Sequence, residues 1–359
     1  MATVKKIKAA IRKPRRVGCA PTKETDWLST GSTLVNLALS GHPMRGVPKG
    51  KYVFFVGDSS SGKTFFTLTM LAEAGINPNF DDYRFIYNNV EGGAMMDLNT
   101  YFGPAVAERL EEHHSDTIDE FYTHLDECLD DDRPCIYILD SQDALSSAYE
   151  KSKFDDRKRE VRGGPKAKGD YGDGKAKRHS SGIRQALPRL RDTGSILILV
   201  CQTRDNIDAG LFEQKKIYSG GRAIRFYATV QLWTSIAARL TKQVKGKPRQ
   251  VGITAKVAVK KNRLTGKEWV VEIPLYWSIG IDDIGSCVDY LVAEGRWKKS
   301  KVGVIKVPEF VIEAKREGLI KFIEEDPCKV DQVRTYVRDV WADLEERCKV
   351  ERKGRYGQE

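Results

Sequence analysis

The sequence predicts an α/β protein: a doubly wound, mainly parallel sheet with a small domain appended at its C-terminal end. Three observations in the 359 residues carry this. Five short β-branched or aromatic runs are closed by polar or glycine residues, as buried strands are. Helical stretches separate most of them, the alternation that crossover connections impose on a parallel sheet. A glycine-rich loop joins the first run to the helical stretch that follows it.

The five runs are residues 51–57, 83–90, 134–140, 195–202 and 227–234, with helical stretches at 64–74, 119–129 and 183–191 between them. Two alternating segments, 251–261 and 268–274, flank the turn Leu264-Thr265-Gly266 and read as a hairpin at the sheet edge. Beyond Asp283 the pattern changes to short helical stretches, 284–294, 308–317 and 329–348, around a Gly295-Arg296-Trp297 break. The expected organisation is a basic N-terminal arm over 1–24, a core over 25–282, a small C-terminal α/β domain over 283–350 and a tail over 351–359.

Sixty Lys and Arg against fifty Asp and Glu leave a net charge of +10, and hydrophobic residues make up 40% of the chain. That apolar share supports a core and excludes disorder throughout. No apolar stretch approaches the roughly 18 residues of a spanning helix; the densest, 196–201, is bounded by Ser195 and Gln202. The N-terminus is basic but lacks the apolar segment of a secretory signal, so a cytoplasmic location is expected. The cysteines, at 19, 128, 135, 201, 287, 328 and 348, never fall in C-x-x-C spacing and read as reduced structural thiols. The five histidines form no ligand spacing, and His113-His114 sits in what reads as an exposed polar helix.

Gly57-Asp58-Ser59-Ser60-Ser61-Gly62-Lys63-Thr64 satisfies G-x-x-x-x-G-K-[ST] between a strand and a helix, the context that the motif requires. Its backbone N–H groups would curl round a β-phosphate at a helix N-terminus, Lys63 would reach the β- and γ-oxygens, and Thr64 would offer a hydroxyl to Mg²⁺. Hydrolysis of a nucleotide such as ATP needs carboxylates at neighbouring strand ends. Asp140 closes the run 134–140 and suits the Mg²⁺ shell, Glu91 follows the run 83–90 and is placed to activate water, and Gln202 closes the run 195–202 where it can bond a γ-phosphate.

Two segments are strongly cationic. Residues 1–23 contain no acid, and residues 151–184 contain twelve Lys or Arg against five acids, with five glycines between 163 and 174. The second reads as a mobile basic loop. For the N-terminal arm, DNA contact, a strand docked on a neighbour and a solubilising tail are all open. The run Lys242, Lys245, Lys247, Arg249 reads as a guide for duplex DNA or a solvated turn, and Trp233 and Trp269 read as core or interface packing.

These residues, in this order, resemble the RecA family of recombinases. Beyond the phosphate loop the likeness lies in Leu28-Ser29-Thr30-Gly31-Ser32, in Ser219-Gly220-Gly221-Arg222-Ala223-Ile224-Arg225-Phe226-Tyr227, and in Val259-Lys260-Lys261-Asn262-Arg263. It covers about residues 26–289, and the short N-terminal region and lack of an acidic tail are similar to bacteriophage recombinases of the UvsX kind. The resemblance implies a RecA-like P-loop ATPase core, with Glu91 as catalytic glutamate, Asp140 as the Walker B acid and Gln202 as the switch that reports the γ-phosphate. Lys261 and Arg263 would reach the ATP of a neighbouring subunit, with Phe226 at the same contact. The segment 203–221 would be the second DNA loop, with Arg204, Arg222 and Arg225 near phosphates. The basic loop ending at Lys175, Lys177 and Arg178 would stand in for the first. In the family a tyrosine soon after the glutamate commonly stacks on adenine; here the count reaches Leu98, with Tyr101 three residues on, and the adenine contact is unassigned.

The function implied is that of an ATP- and Mg²⁺-dependent recombinase. It would form helical filaments on single-stranded DNA, with ATP at subunit interfaces, pair that strand with homologous double-stranded DNA and exchange strands. Single-strand-binding and mediator proteins would be its accessory partners, and a bacterial host cytoplasm its location if phage-encoded. Two alternatives share the phosphate loop: a ring-forming motor, such as a helicase or branch-migration ATPase, and a nucleotide-gated DNA-coating protein in which turnover is incidental.

Overall fold

The structure, a computed structural model, describes residues 23, 26–93, 96–161, 174–205, 216–218 and 221–352. The N-terminal arm, most of the segment 203–221, Ser219-Gly220 and the end of the tail lie outside the described residues.

β1 (Trp27–Leu28) enters α1 (Thr33–Ser40), which Ser32 caps by accepting from the Val35 amide, and β2 (Val47–Pro48) pairs back on β1. β3 (Tyr52–Gly57) leads through the glycine-rich loop into α2 (Lys63–Gly75). β4 (Arg84–Asn89), the short helices α3 (Leu98–Phe102) and α4 (Pro104–Arg109), β5 (Leu110–His113) and α5 (Ile118–Asp130) follow. Next come β6 (Cys135–Asp140), α6 (Ala148–Val161), α7 (Lys175–Thr193), β7 (Ile196–Asp205), β8 (Lys216–Tyr218) and α8 (Arg222–Tyr227). The core closes with β9 (Val230–Val244), β10 (Lys247–Asn262), β11 (Val270–Tyr276) and β12 (Gly280–Ile281).

The main sheet runs β12-β11-β10-β9-β3-β7-β6-β4-β5. Its half from β9 to β5 is parallel, and β10 to β12 extend it antiparallel. β3 and β6 are buried along their whole length, and their alternating side chains divide between two apolar clusters. Val53 and Phe55 pack on one face of the sheet with α1 and α2, whereas Tyr52, Phe54 and Val56 pack on the other with α5 and α7. All five expected strands are present, and the α/β class stands.

After the core come α9 (Asp283–Ala293), β13 (Lys298–Lys299), β14 (Val304–Val307), β15 (Ile312–Lys315), α10 (Arg316–Glu324) and α11 (Pro327–Arg347). The Asp283 carboxylate accepts from the Thr33 amide at 2.6 Å and from Arg334 at 3.1 Å, stitching this region to α1. Trp341 of α11 packs on Trp269 with ring centroids 4.8 Å apart, within the apolar cluster that also contains Val257 and Ile273.

Four readings are corrected. The segment 151–184 is not a loop throughout: Lys151–Val161 belongs to α6 and Lys175–Arg184 to α7, because the long, unbranched Lys, Arg and Glu side chains favour helix whatever their net charge, and in α7 the buried His179, Ile183, Ala186 and Leu190 add an apolar face despite Gly182 and Pro188. Residues 162–173, which hold four of the five glycines, lie outside the described residues. The strand expected at 227–234 begins at Val230 and runs on to Val244, forming with β10 a long ribbon turned at Lys245-Gly246, both with positive φ. The run Lys242–Arg249 is thus the exposed tip of this ribbon. The stretch 308–317 holds a single 3₁₀ turn and β15, with the helix starting at Arg316. His113 lies on a strand, stacked on His124 at 3.6 Å between ring centroids; His114 is exposed, as expected.

Candidate active site

The phosphate loop leaves β3 at Gly57, where a Cβ would stand 2.0 Å from Thr234 Oγ1 on the adjacent β9. No side chain fits there, so the loop can leave the sheet edge only through glycine. Ser60 (φ 59°) and Gly62 (φ 89°) turn the chain back, and Gly62 precedes α2 without any side-chain cap. The first amides of α2 are therefore left for an anion, on the positive end of the helix. Lys63 is 7% exposed, and its ammonium bonds the Asp58 carbonyl at 2.7 Å and the Gly57 carbonyl at 3.0 Å. Burial lowers its pKa, opposed by the negative charges of Asp140 and Glu91. Ser61 sits beneath the loop, bonded to Thr234 Oγ1 and to the Asp58 carbonyl, each at 2.7 Å.

Strand register brings the acids to this loop. Gly57 pairs with Gln202 across β3 and β7, and Asn89 pairs with Asp140 across β4 and β6, so β3, β4 and β6 end within about two residues of one another at the same side of the sheet, where β7 passes with Gln202. Asp140 is 8% exposed and accepts from Thr64 Oγ1 at 2.6 Å and from Tyr87 Oη at 2.9 Å. Burial raises its carboxyl above the usual range while those two hydroxyls pull it back. Glu91 Oε1 accepts from Gln202 Nε2 at 3.0 Å and from the Ser141 hydroxyl, and the Gln202 amide is fixed by Asp143 at 2.6 Å. Lys63, Thr64, Glu91, Asp140 and Gln202, drawn from four separate segments, form one constellation. Tyr87, Ser141, Asp143 and Thr234 belong to it too. None of these four carries a motif that marks it in the sequence.

The donor set fits a nucleotide phosphate and its cation. Among the described residues no group of three or more His, Cys, Asp or Glu could hold a metal alone. One hydroxyl and one carboxylate, with the remaining places left to substrate phosphates and water, is what Mg²⁺ takes in nucleotide sites.

A second cluster lies at the other end of the sheet. Asn262 pairs with Val230 and Val230 with Val53, four residues before Gly57 along β3, or roughly 13 Å at 3.3 Å per residue. Here Lys261 Nζ bonds the carbonyls of Phe226 (2.6 Å) and Arg225 (2.7 Å), and Arg263 Nη2 bonds the Phe226 carbonyl at 2.8 Å. Both cations thus cap the C-terminal end of α8, where the helix dipole is negative. Burial, with Arg263 and Arg225 adding repulsion, pushes the Lys261 ammonium down to about 8. The Phe226 ring is 63% exposed. Asn262 positions the pair: its side chain is buried, donating to Leu39 O at 2.9 Å and accepting from Leu264 N at 2.9 Å. Tyr101 stacks edge-on against Phe65, the residue after Thr64, at 5.7 Å between centroids.

The basic residues are distributed unequally. Lys177, Arg222 and Arg225 are exposed. Lys175 is paired with Glu150 at 3.0 Å, Arg178 with Asp119 at 3.3 Å and Arg204 with Asp143 at 3.9 Å. β7 runs past Gln202 and pairs with β8, so the segment 203–221 is rooted in a short antiparallel arm whose tip, 206–215, lies outside the described residues.

A strand, phosphate loop and helix at the carboxyl ends of a parallel sheet, with acids on the neighbouring strands, make this a P-loop ATPase. The model of the RecA N-terminal domain matches residues 159–282. Over nearly the whole chain there is likeness to RecA proteins: 25% identity over 338 residues with that of Crocosphaera subtropica, covering 90% of this chain and 85% of the relative. The RecA protein of Gluconobacter oxydans is 26% identical over 336 residues (90% and 86%), and that of Lactiplantibacillus plantarum 25% over 339 (91% and 79%). The core is RecA-like and the chain is similar to RecA proteins over most of its length, which supports a RecA-like recombinase and DNA-dependent ATPase function.

Proposed function

We propose that the protein binds ATP and Mg²⁺ at residues 57–64, polymerises on single-stranded DNA, pairs that strand with homologous duplex and exchanges the strands. The observation that carries the polymer is the position of Lys261 and Arg263. They stand at the opposite end of the sheet from their own phosphate loop, beside an exposed Phe226, and serve a nucleotide only if a second copy supplies it.

Lys63 leaves its carbonyls for the β- and γ-oxygens. Thr64 and Asp140 would hold Mg²⁺, which supplies neutralisation of the phosphate charge. Glu91, oriented by Ser141 and Gln202, takes a proton from the attacking water. Gln202 is bonded to Glu91 and opens onto β7, so it senses the γ-phosphate and passes its loss toward the DNA arm. Lys261 and Arg263 of the adjoining copy offset the charge that develops as the γ-phosphate leaves. A bacteriophage recombinase of the UvsX kind, with the host cytoplasm as location, is the finer reading and rests on the sequence pattern alone. No helix among the described residues is long and apolar enough to cross a membrane.

The test is ATP hydrolysis with and without single-stranded DNA, with negative-stain images of the same mixtures. Strong stimulation with helical filaments is expected. Closed rings would move the reading to a motor, and the absence of any DNA effect would remove DNA from it.

Two further results are expected. Lys177→Gln should lower the log–log salt slope of DNA binding by about one unit, the loss of one phosphate contact. Adding Lys175→Gln and Arg178→Gln should lower it by about one unit each, because partly exposed ion pairs such as theirs are weak and yield to phosphate. A slope that stays constant would leave this end of α7 away from DNA. Lys261 loses its charge as pH rises through about 8, so filament-dependent hydrolysis at low ATP should fall over that range. In Lys261→Arg, whose charge persists, the profile should stay flat to about pH 9; the same falling limb in that variant would detach Lys261 from the effect.

A further inference from the structure

We infer that Asp58 is a positioning residue which ties the phosphate loop to the base of the second DNA arm, a second line of nucleotide control beside Gln202. Its place in the motif suggests a loop position whose amide faces phosphate. The geometry is otherwise. The Asp58 amide is directed at the Thr234 carbonyl at 3.3 Å, and the carboxylate points to the arm. Oδ1 accepts from Thr203 Oγ1 and Oδ2 from Lys216 Nζ, each at 2.5 Å.

Thr203 lies on β7 and Lys216 on β8, the outgoing and returning strands of the arm, two rungs apart in the pairing Thr203↔Tyr218 and Asp205↔Lys216. One carboxylate therefore clamps both strands where the arm leaves the core. Burial raises the Asp58 carboxyl, but the bonds from Lys216 and Thr203 outweigh it and hold the group below the usual carboxylate range. Tyr218 anchors the returning strand from the other side, edge-on to Phe54 of β3 at 5.1 Å between centroids.

The link to nucleotide is Lys63. Its ammonium grips the Asp58 carbonyl at 2.7 Å, and a phosphate in the loop competes for that ammonium. When Lys63 turns to phosphate, the Asp58 carbonyl loses its cation and keeps only its bonds from Ser61, while the carboxylate still holds the arm. The backbone of the loop and the DNA arm then move as one. This inference rests on the proposed recombinase reading and adds a residue to its coupling, since Asp58 touches neither substrate.

The experiment measures single-stranded DNA affinity with a non-hydrolysable ATP analogue and with ADP, and takes the ratio, for wild type, Asp58→Asn, Lys216→Met and the double variant. The ratio should fall about tenfold in each single variant, within the range of ordinary allosteric couplings, and no further in the double. Thr203→Val, which leaves the phosphate loop intact, should lower it in the same direction if Asp58→Asn does not fold. An unchanged ratio in the single variants overturns the clamp. So does a Lys216→Met effect equal in both nucleotide states with a salt slope one unit smaller, which makes Lys216 a phosphate contact. A wild-type ratio of one would instead defeat the recombinase reading itself.

Discussion

Replacing Lys63 by Ala should lower ATP affinity about a hundredfold or more and abolish nucleotide-dependent assembly. The reason is the position of its ammonium. It is buried at the mouth of the loop with two backbone carbonyls as partners, and both are exchanged for phosphate oxygens when nucleotide arrives. Two charge-assisted bonds of roughly 1.5–3 kcal/mol each disappear with the side chain. Asp140 and Glu91 also lose the cation that offsets their charge, which raises the repulsion facing an incoming triphosphate. Calorimetric titration with ATP and Mg²⁺ measures the loss directly. Affinity equal to wild type would remove the phosphate site from residues 57–64, whatever the assembly did.

Glu91→Gln should leave ATP binding within a few-fold of wild type and lower hydrolysis about 10²–10⁴-fold, the contribution of a positioned base. The amide keeps the size of the carboxylate and its acceptor toward Ser141 and Gln202, so the loop and strand ends should hold their places. Filaments formed with ATP should then persist, because in the proposed cycle DNA release follows loss of the γ-phosphate. Pairing assays and dissociation from a labelled single strand read the two parts separately. Retained hydrolysis would exclude Glu91 as the base. Abolished hydrolysis with pairing and release as fast as wild type would make turnover incidental and favour the DNA-coating alternative.

Much of the site was legible because its parts are local in the chain. Strand, loop and helix around residues 51–74 are decided by a few neighbours, and the acids at Glu91 and Asp140 stand where apolar runs stop. The charge runs were less informative. Helix formers in 148–161 and 175–193 outweigh what their net charge suggested, so α6 and α7 replace most of an expected loop. The β9–β10 ribbon was only half visible, since its tip is solvated on both faces and loses the alternation that marks a half-buried strand.

By itself, then, the sequence determined the class of fold, the phosphate loop and the acids that could serve it. The tertiary structure decided how they are used. The placing of Glu91 by Ser141 and Gln202, the capping of α8 by Lys261 and Arg263, the pairing of Lys175 and Arg178 with acids and the Asp58 clamp join residues about 25 to 160 positions apart. Such contacts depend on strand register and on the order of strands in the sheet, which arise from packing two apolar faces at once and leave no trace in any short stretch of chain.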